Sequence, residues 1–348
     1  MSVELLAMSV ISCVLCVLVL SRLASSVGLV DIPDQRKYHI GKIPVIGGAA
    51  IVFSLTIMVG LFDVQWPFNP SITILGLLLF IFGLIDDSIN LSPKFRFLAQ
   101  MGVAILTVSV GDLHLYYFGN IFNLGDLYLG FWGELLTVLA IVTAINAFNM
   151  IDGIDGLLAL LLINVFIAMM VVGDGLNQFY WLCIALLAVF LIFNLGLVSG
   201  IKDCRKVFMG DAGSMMFGYL VVCLLIDQSQ HPIVEIRPVT VLWLIAIPLM
   251  DLVAIVIRRI RKKQPIMKAD RDHLHHIFIR LGFSDLAALG VILTLAVLLS
   301  AVGIGGEVFQ VSESLMFMVF ILLFSVYLYF ILHAWKFIRL FNILRHRK

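Results

Sequence analysis

Eleven long apolar runs, separated by short polar stretches, leave this chain of 348 residues little choice of architecture. They lie near residues 3–21, 45–62, 70–85, 97–111, 131–148, 157–173, 179–198, 213–227, 239–257, 286–304 and 315–338. A bilayer core about 30 Å thick takes roughly 20 apolar residues in an α-helix, and a helix satisfies its own backbone polar groups where no water can. Composition agrees: 62% of the residues are hydrophobic and 13% charged, with a mean hydropathy of +1.10, where a soluble domain carries about 25% charged. The expectation is an all-α integral membrane protein of about 11 transmembrane helices, forming one polytopic domain over residues 1–348. The runs at 97–111 and 157–173 are short; they either gain length from their flanks or line a polar cavity. The first run has no basic region ahead of it and no small-residue cleavage site behind it, so it reads as a retained helix.

The net charge is only +1, but the basic residues are placed unevenly. Arg22, Arg36, Lys37 and Lys42 follow the first run, Lys94 and Arg96 the third, Lys202, Arg205 and Lys206 the seventh. Arg258 to Lys263, Lys268, Arg271 and Arg280 follow the ninth, while Arg237 stands on the opposite side. Because positive loops stay in the cytoplasm, the N-terminus is expected outside, with the odd-numbered loops and the C-terminus inside. The basic run from Arg258 to Lys263 reads as a topology anchor that also attracts anionic lipid. Four cysteines, Cys13, Cys16, Cys183 and Cys223, fall in apolar runs and Cys204 in a loop. Cys13 and Cys16 form a CxxC without a second pair, which reads as packing.

Carboxylates at a membrane boundary are costly and therefore informative, and here they collect on the expected cytoplasmic side. Asp86 and Asp87 close the third run in IFGLIDDSINLSPKFR. Adjacent helical residues differ by about 100° around the axis, so both can face one cavity only at a helix end. Two neighbouring carboxylates repel unless a cation lies between them, which suggests a hard divalent ion; the alternative is that they end the helix in water. In NAFNMIDGIDGLLAL a helical segment would stack Asn149, Asp152 and Asp155 on one face. That stretch shares an Asp-Gly opening with CDP-alcohol phosphotransferases, but the Arg and the downstream aspartates of their pattern are missing. In KVFMGDAGSMMFG, Asp211 lies between Gly210 and Gly213, with Ser214 following. It either N-caps the eighth helix or opens a turn whose amides face a phosphate. Phe208 is an interfacial aromatic or a stacking surface for a nucleobase.

The longest cytoplasmic loop, RRIRKKQPIMKADRDHLHHIFIRLGFSD, carries His273, His275 and His276. Helical spacing would put His273 with His276 and turn His275 aside. No cysteine is near to complete a zinc site, and the surrounding arginines and lysines suit an anionic substrate better. Asp251 lies seven residues before Arg258, about 10 Å below the boundary. It either pairs with Arg258 or extends an aqueous cavity downward.

Together, DIPDQRKYHIGKIPVIGG, GLIDD, NAFNMIDGIDGL, VFMGDAGS and RDHLHH, in this order on odd-numbered loops, resemble the polyprenyl-phosphate N-acetylhexosamine-1-phosphate transferases. Within that family, HLHH is similar to the His-x-His-His of members that use UDP-N-acetylglucosamine; those that use muramyl-pentapeptide carry three consecutive histidines. The resemblance is nearest to the bacterial branch that loads undecaprenyl phosphate to initiate O-antigen and enterobacterial common antigen synthesis. It implies a multi-pass protein of the bacterial inner membrane with a cytoplasm-facing site. It further implies that UDP-GlcNAc and undecaprenyl phosphate are substrates, with magnesium, or manganese in its place, as cofactor.

Residue by residue, the resemblance implies that Asp211 holds the metal with Asn149 and Asp87, and that Asp155 and Phe208 hold the uracil. Asp86 and Asp87 act on the attacking phosphate, and Asp152 belongs to the same catalytic group. His273, His275, His276 and Arg271 meet the sugar-pyrophosphate, and Lys94 its phosphates. Asp31, Asp34 and Lys42 match the first cytoplasmic loop of the family. The expected partners are these substrates and the lipid bilayer, with no nucleic acid and a homodimer left open. A transporter would show internal repeats and midplane sites, and a lipid-binding scaffold would not need acidic and histidine motifs on one face.

Overall fold

The computed structural model describes residues 3–32, 41–62, 64–173, 178–198, 206–230, 236–265 and 273–345. Asp34, Lys202, Asp203, Cys204, Arg205, Asp270, Arg271 and Asp272 lie outside them. Every apolar run carries helix. In chain order these are α1 (Val3–Ala24), α2 (Gly47–Leu61), α3 (Pro70–Ile89), α4 (Pro93–Ser109), α5 (Trp132–Ile151), α6 (Leu157–Val172) and α7 (Gln178–Asn194). They continue with α8 (Gly210–Gln230), α9 (Pro238–Leu244), α10 (Ala246–Arg261), α11 (Leu274–Arg280), α12 (Asp285–Val308) and α13 (Glu313–Arg345). Among the described residues six, α1, α3, α5, α8, α12 and α13, are long and apolar enough to cross a bilayer.

The ninth run, expected as one span, is instead the pair α9 and α10, bent by 83°. Pro248 is the physical reason. It has no N–H for the carbonyl of Leu244, four residues back, and its ring crowds that carbonyl. The chain leaves helical geometry at Ile245 (φ −112°, ψ 23°), which ends one helix and begins the other. α2, α6 and α7 are apolar but run only 15, 16 and 17 residues.

α8 is the axis of the molecule, buried at every position from Ala212 to Ile226. Small residues let its neighbours touch its backbone. A Cβ at Gly48 of α2 would lie 2.3 Å from Gly213 Cα, and one at Gly83 of α3 would lie 2.4 Å from Ala212 Cα. On the α8 side, a Cβ at Gly218 would lie 2.9 Å from Ile145 Cα of α5. The departure from pure helix is small: β1 (Val30–Asp31) pairs antiparallel with β2 (Ile43–Pro44), and Val45 bridges in parallel to Phe208. Backbone bonds from Phe208 N to Pro44 O (2.9 Å) and from Gly47 N to Phe208 O (2.8 Å) tie the segment ahead of α2 to the segment ahead of α8.

Candidate active site

The turn between α3 and α4 sets the first part of the site. Asn90 ends α3 in the left-handed region (φ 52°) and returns its N–H to Asp86 O. Two residues on, the Ser92 side chain caps α4 with Pro93 at its first position. The chain therefore reverses at once and sets Arg96 beside the last turn of α3. Asp86, buried at 2% exposure, accepts the Leu91 N–H at 2.8 Å and one nitrogen of Arg96, Nη1, at 3.1 Å. The same Nη1 lies 3.0 Å from Asp211 Oδ2. One guanidinium nitrogen thus bridges two carboxylates that lie 125 positions apart in sequence.

Asp87 does different work. Its Oδ1 accepts the Asp211 N–H at 2.8 Å and its Oδ2 the Ala212 N–H at 3.0 Å, so it caps the start of α8, where amides point outward and negative charge is favoured. Gly210 is needed at that contact: its φ is +80°, and a Cβ would fall 2.6 Å from Asp87 Oδ2. From α5, Asn149 Nδ2 reaches Asp211 Oδ1 at 2.7 Å and Ser214 Oγ at 2.8 Å.

Asn149, Asp152 and Asp155 do not lie on one helix. α5 ends at Ile151, Asp152 is its C-cap with ψ 53°, and Asp155 lies in the turn ahead of α6. Gly153 and Gly156 break the helical register that the three-residue spacing suggested. Asp152 is exposed to solvent yet ringed by protein, which is the geometry of a cleft wall. Loss of bulk hydration, then repulsion from Asp211 and Asp155, pushes its carboxyl up to about 7. Asp155 turns the other way, 2.5 Å from Lys206 Nζ, which stands 5.2 Å over the Phe208 ring. Asn194 fastens this corner, accepting the Gly156 N–H at 2.6 Å and donating to Val207 O at 2.8 Å.

The histidines are arranged otherwise than helical spacing suggested. His273 precedes α11 in extended conformation (ψ 159°), so its ring stacks on His275 at 5.9 Å and 5° between planes. His276 follows at 4.2 Å from His275. His275 is buried at 1% exposure, and neither ring nitrogen has a hydrogen-bond partner among the described residues. Burial, then the neighbouring His276 and His273, pushes it down to about 3. Asp251 does not pair with Arg258 but with His273, Nδ1 to Oδ2 at 2.8 Å. Lys94 is exposed on the first turn of α4, with no contact to the carboxylates, and Arg271 lies outside the described residues.

Arg96, Ser214 and Lys206 belong to the site, though their sequence positions alone did not mark them out. Arg96 was visible only as loop charge, but Ser-Pro four and three residues ahead of it signals the helix start that brings it back to Asp86. Lys206 is two residues before Phe208 in an extended stretch, where alternate side chains share a face.

A helical membrane protein with a polar cleft of carboxylates, one bridging arginine and a buried histidine pair is built as an enzyme for an anionic substrate. The comparison with known proteins makes this specific: the chain belongs to glycosyl transferase family 4, whose model matches residues 69–229. That span holds the whole carboxylate cluster and ends before the histidine helix. The chain is 38% identical over 333 residues to the undecaprenyl-phosphate alpha-N-acetylglucosaminyl 1-phosphate transferase of Salmonella typhi, covering 94% of this chain and 90% of that one. The proteins of the same name from Escherichia coli K12 (38%; 94% and 90% covered) and Haemophilus influenzae (39%; 93% and 92% covered) are similar to it at the same level. The transporter and scaffold readings fall with that membership.

Proposed function

We propose that this protein transfers N-acetylglucosamine 1-phosphate from UDP-N-acetylglucosamine to undecaprenyl phosphate, giving the lipid pyrophosphoryl sugar and UMP. The observation that carries this reading is the convergence on Asp211 of the Asp87 carboxylate, the Asn149 amide and Arg96, which also holds Asp86. It occurs in a chain 38% identical over 94% of its length to transferases of that name. The reaction takes place at the cytoplasmic face of a bacterial inner membrane. Loop charge supports that orientation, with 11 crossings in which the shorter apolar helices α2, α6 and α7 and the 17-residue α4 complete the six longer helices and the bent pair. The lipid product begins a cell-envelope polysaccharide.

Donor pyrophosphate and acceptor phosphate are both anions, so the chemistry consists mainly of positioning and charge compensation. The acceptor's second pKa is near 6, so at neutral pH its oxygen is already largely ionised. Asp87, anchored by two α8 amides, orients it or takes its remaining proton. Attack on the β-phosphorus forms the new P–O bond as the bond to UMP breaks. Asp155, Lys206 and Phe208, joined through the Lys206 ammonium, take the uracil. His273, His276 and Arg271 take the sugar-pyrophosphate, while His275, buried against Gly153, backs them and does not reach it as expected, and Lys94 meets the outer phosphate oxygens.

The residues present fit a divalent cation. Asp86 and Asp211 share a single guanidinium, with Asp87 bonded to the Asp211 amide and Asp152 near enough to feel the Asp211 charge, so acids outnumber bases and every acidic or amide ligand offered is a hard oxygen. No three such side chains form a preformed metal cluster among the described residues, as suits magnesium, which takes one or two carboxylates and completes its shell with water and substrate phosphates. Asp211 would hold it, with the Asn149 amide, whose Nδ2 donates to Asp211 here, reversed to present its oxygen. When bound, magnesium or manganese would neutralise pyrophosphate charge.

For the lipid, an apolar cavity of about 480 Å³ lies between α5, α8, α9 and α10, lined by Leu139, Phe148, Leu225, Leu242 and Leu249. Phe148, one residue before Asn149, lines this cavity, whose wall runs on to Ser229 towards the far end of α8. The test is UMP release by purified protein given undecaprenyl phosphate with UDP-GlcNAc, UDP-GalNAc or UDP-MurNAc-pentapeptide, with and without magnesium. Metal-dependent release with UDP-GlcNAc alone is expected; release with another donor would overturn the donor assignment.

A further inference from the structure

Nothing in the chemistry above uses Asp251, a carboxylate buried at 2% exposure within α10. Three donors from two stretches of chain converge on it. His273 Nδ1 lies 2.8 Å from Oδ2, while Oδ1 receives the Leu274 N–H at 3.1 Å and the Tyr327 hydroxyl at 2.7 Å. An ionised carboxylate only accepts, so Nδ1 of His273 carries the hydrogen, and any bond from that ring to a substrate falls to Nε2. The ring is also held from its other side. It stacks on His275, whose Nε2 presses so close to Gly153 that a Cβ there would lie 2.1 Å away. Gly153 stands between Asp152 and Asp155.

Contacts thus run without a gap from Tyr327 in α13, through Asp251, His273 and His275, to the loop that carries two cleft aspartates. Apolar packing backs them: Ala254 and Ile255 of α10, Ile277 of α11, and Ile331, Ala334 and Ile338 of α13 form one buried cluster. The C-terminal helix therefore braces the histidine helix from behind.

We propose that Asp251 and Tyr327 are positioning residues of the donor site, fixing the tautomer and the orientation of His273 for the sugar-pyrophosphate. The inference rests on the transferase reading given above. A carboxylate that sets the ring of a ligand-contacting histidine acts on what the histidine binds, so the effect belongs to the donor and not to the lipid. In Asp251→Asn an amide faces Nδ1, which disrupts both charge and tautomer.

The experiment measures KM for UDP-GlcNAc at saturating undecaprenyl phosphate, and the converse, for full-length wild type, Asp251→Asn, Asp251→Glu and Tyr327→Phe, with thermal unfolding alongside. Asp251→Asn is expected to raise the donor KM about tenfold or more and to leave the acceptor KM within about twofold. Tyr327→Phe should shift the donor KM the same way by about threefold, and Asp251→Glu should recover part of the loss. Should Asp251→Asn fail to fold, Tyr327→Phe, which removes one hydroxyl, carries the test. Donor KM unchanged in the folded variants, or both KM values moving together with the unfolding temperature, would overturn the positioning role while wild-type turnover stands. A wild type silent with UDP-GlcNAc would overturn the transferase reading, and this inference with it.

Discussion

Arg96 shows how much charge compensation one side chain carries. Its Nη1 touches both Asp86 and Asp211, and Asp86 is buried, so removing the guanidinium leaves an unpaired carboxylate at a cost of about 3 kcal/mol or more. Arg96→Gln is expected to lower the unfolding temperature and to cut turnover about a hundredfold, measured as UMP release. Arg96→Lys should recover part of it, because a single nitrogen makes both contacts and an ammonium carries three donors. Asp211→Asn should abolish turnover, whereas Asp227→Asn, at the far end of the same helix, should leave it nearly intact; the reverse pattern would contradict the placement of the site. His275 supplies a pH prediction. Its pKa lies at about 3 in the fold against about 6.5 unfolded. The unfolded chain therefore binds the extra proton below pH 6.5, and stability falls as pH drops through that window. Between pH 7 and pH 5 this amounts to about 2 kcal/mol, so the fall in unfolding temperature over that range should be visibly smaller in His275→Gln.

The helices matter to function chiefly through their ends. α3, α4, α5 and α8 each deliver their polar groups near a terminus, and α8 holds register because glycines let it meet its neighbours backbone to backbone. Gly83→Ala puts a Cβ 2.4 Å from Ala212 Cα. Backbone cannot swing aside as a side chain can, so α3 must move away from α8 and carry Asp86 and Asp87 off Asp211. We expect a loss of stability of about 1–3 kcal/mol and a larger proportional loss of activity, read by thermal unfolding and UMP release on one preparation. Element positions were legible because twenty apolar residues in a row have few alternatives in lipid. Their breaks were less so. Pro248 divides the ninth run, yet a proline in a membrane helix is often absorbed as a kink, and only the packing around Ile245 decides for a bend of 83°. Similarly, the three-residue spacing of Asn149, Asp152 and Asp155 matched a helix face, but Gly153 and Gly156 end the helix between them.

Across the whole molecule, the site is assembled from segments as far apart as Asp86 and His276, brought to one end of a helical bundle. Its chemical inventory was readable, because acids and histidines beside apolar runs have few structural reasons to be there. The pairing was not, since partners depend on which helices pack together. Asp251 sits seven residues from Arg258 and 22 from His273, and local spacing favoured the arginine. Magnesium dependence belongs to this scale too: with acids outnumbering bases at the site, EDTA is expected to stop turnover and added magnesium to restore it, while the fold survives chelation.

The central claim is that sugar and phosphate move together. The most direct measurement supplies UDP-GlcNAc labelled with ³²P at its β-phosphate, with undecaprenyl phosphate and the purified protein, and follows the label between lipid and aqueous phases. The account predicts β-label in the lipid product and unlabelled UMP in the water. Label retained on UDP, with sugar alone on the lipid, would contradict it.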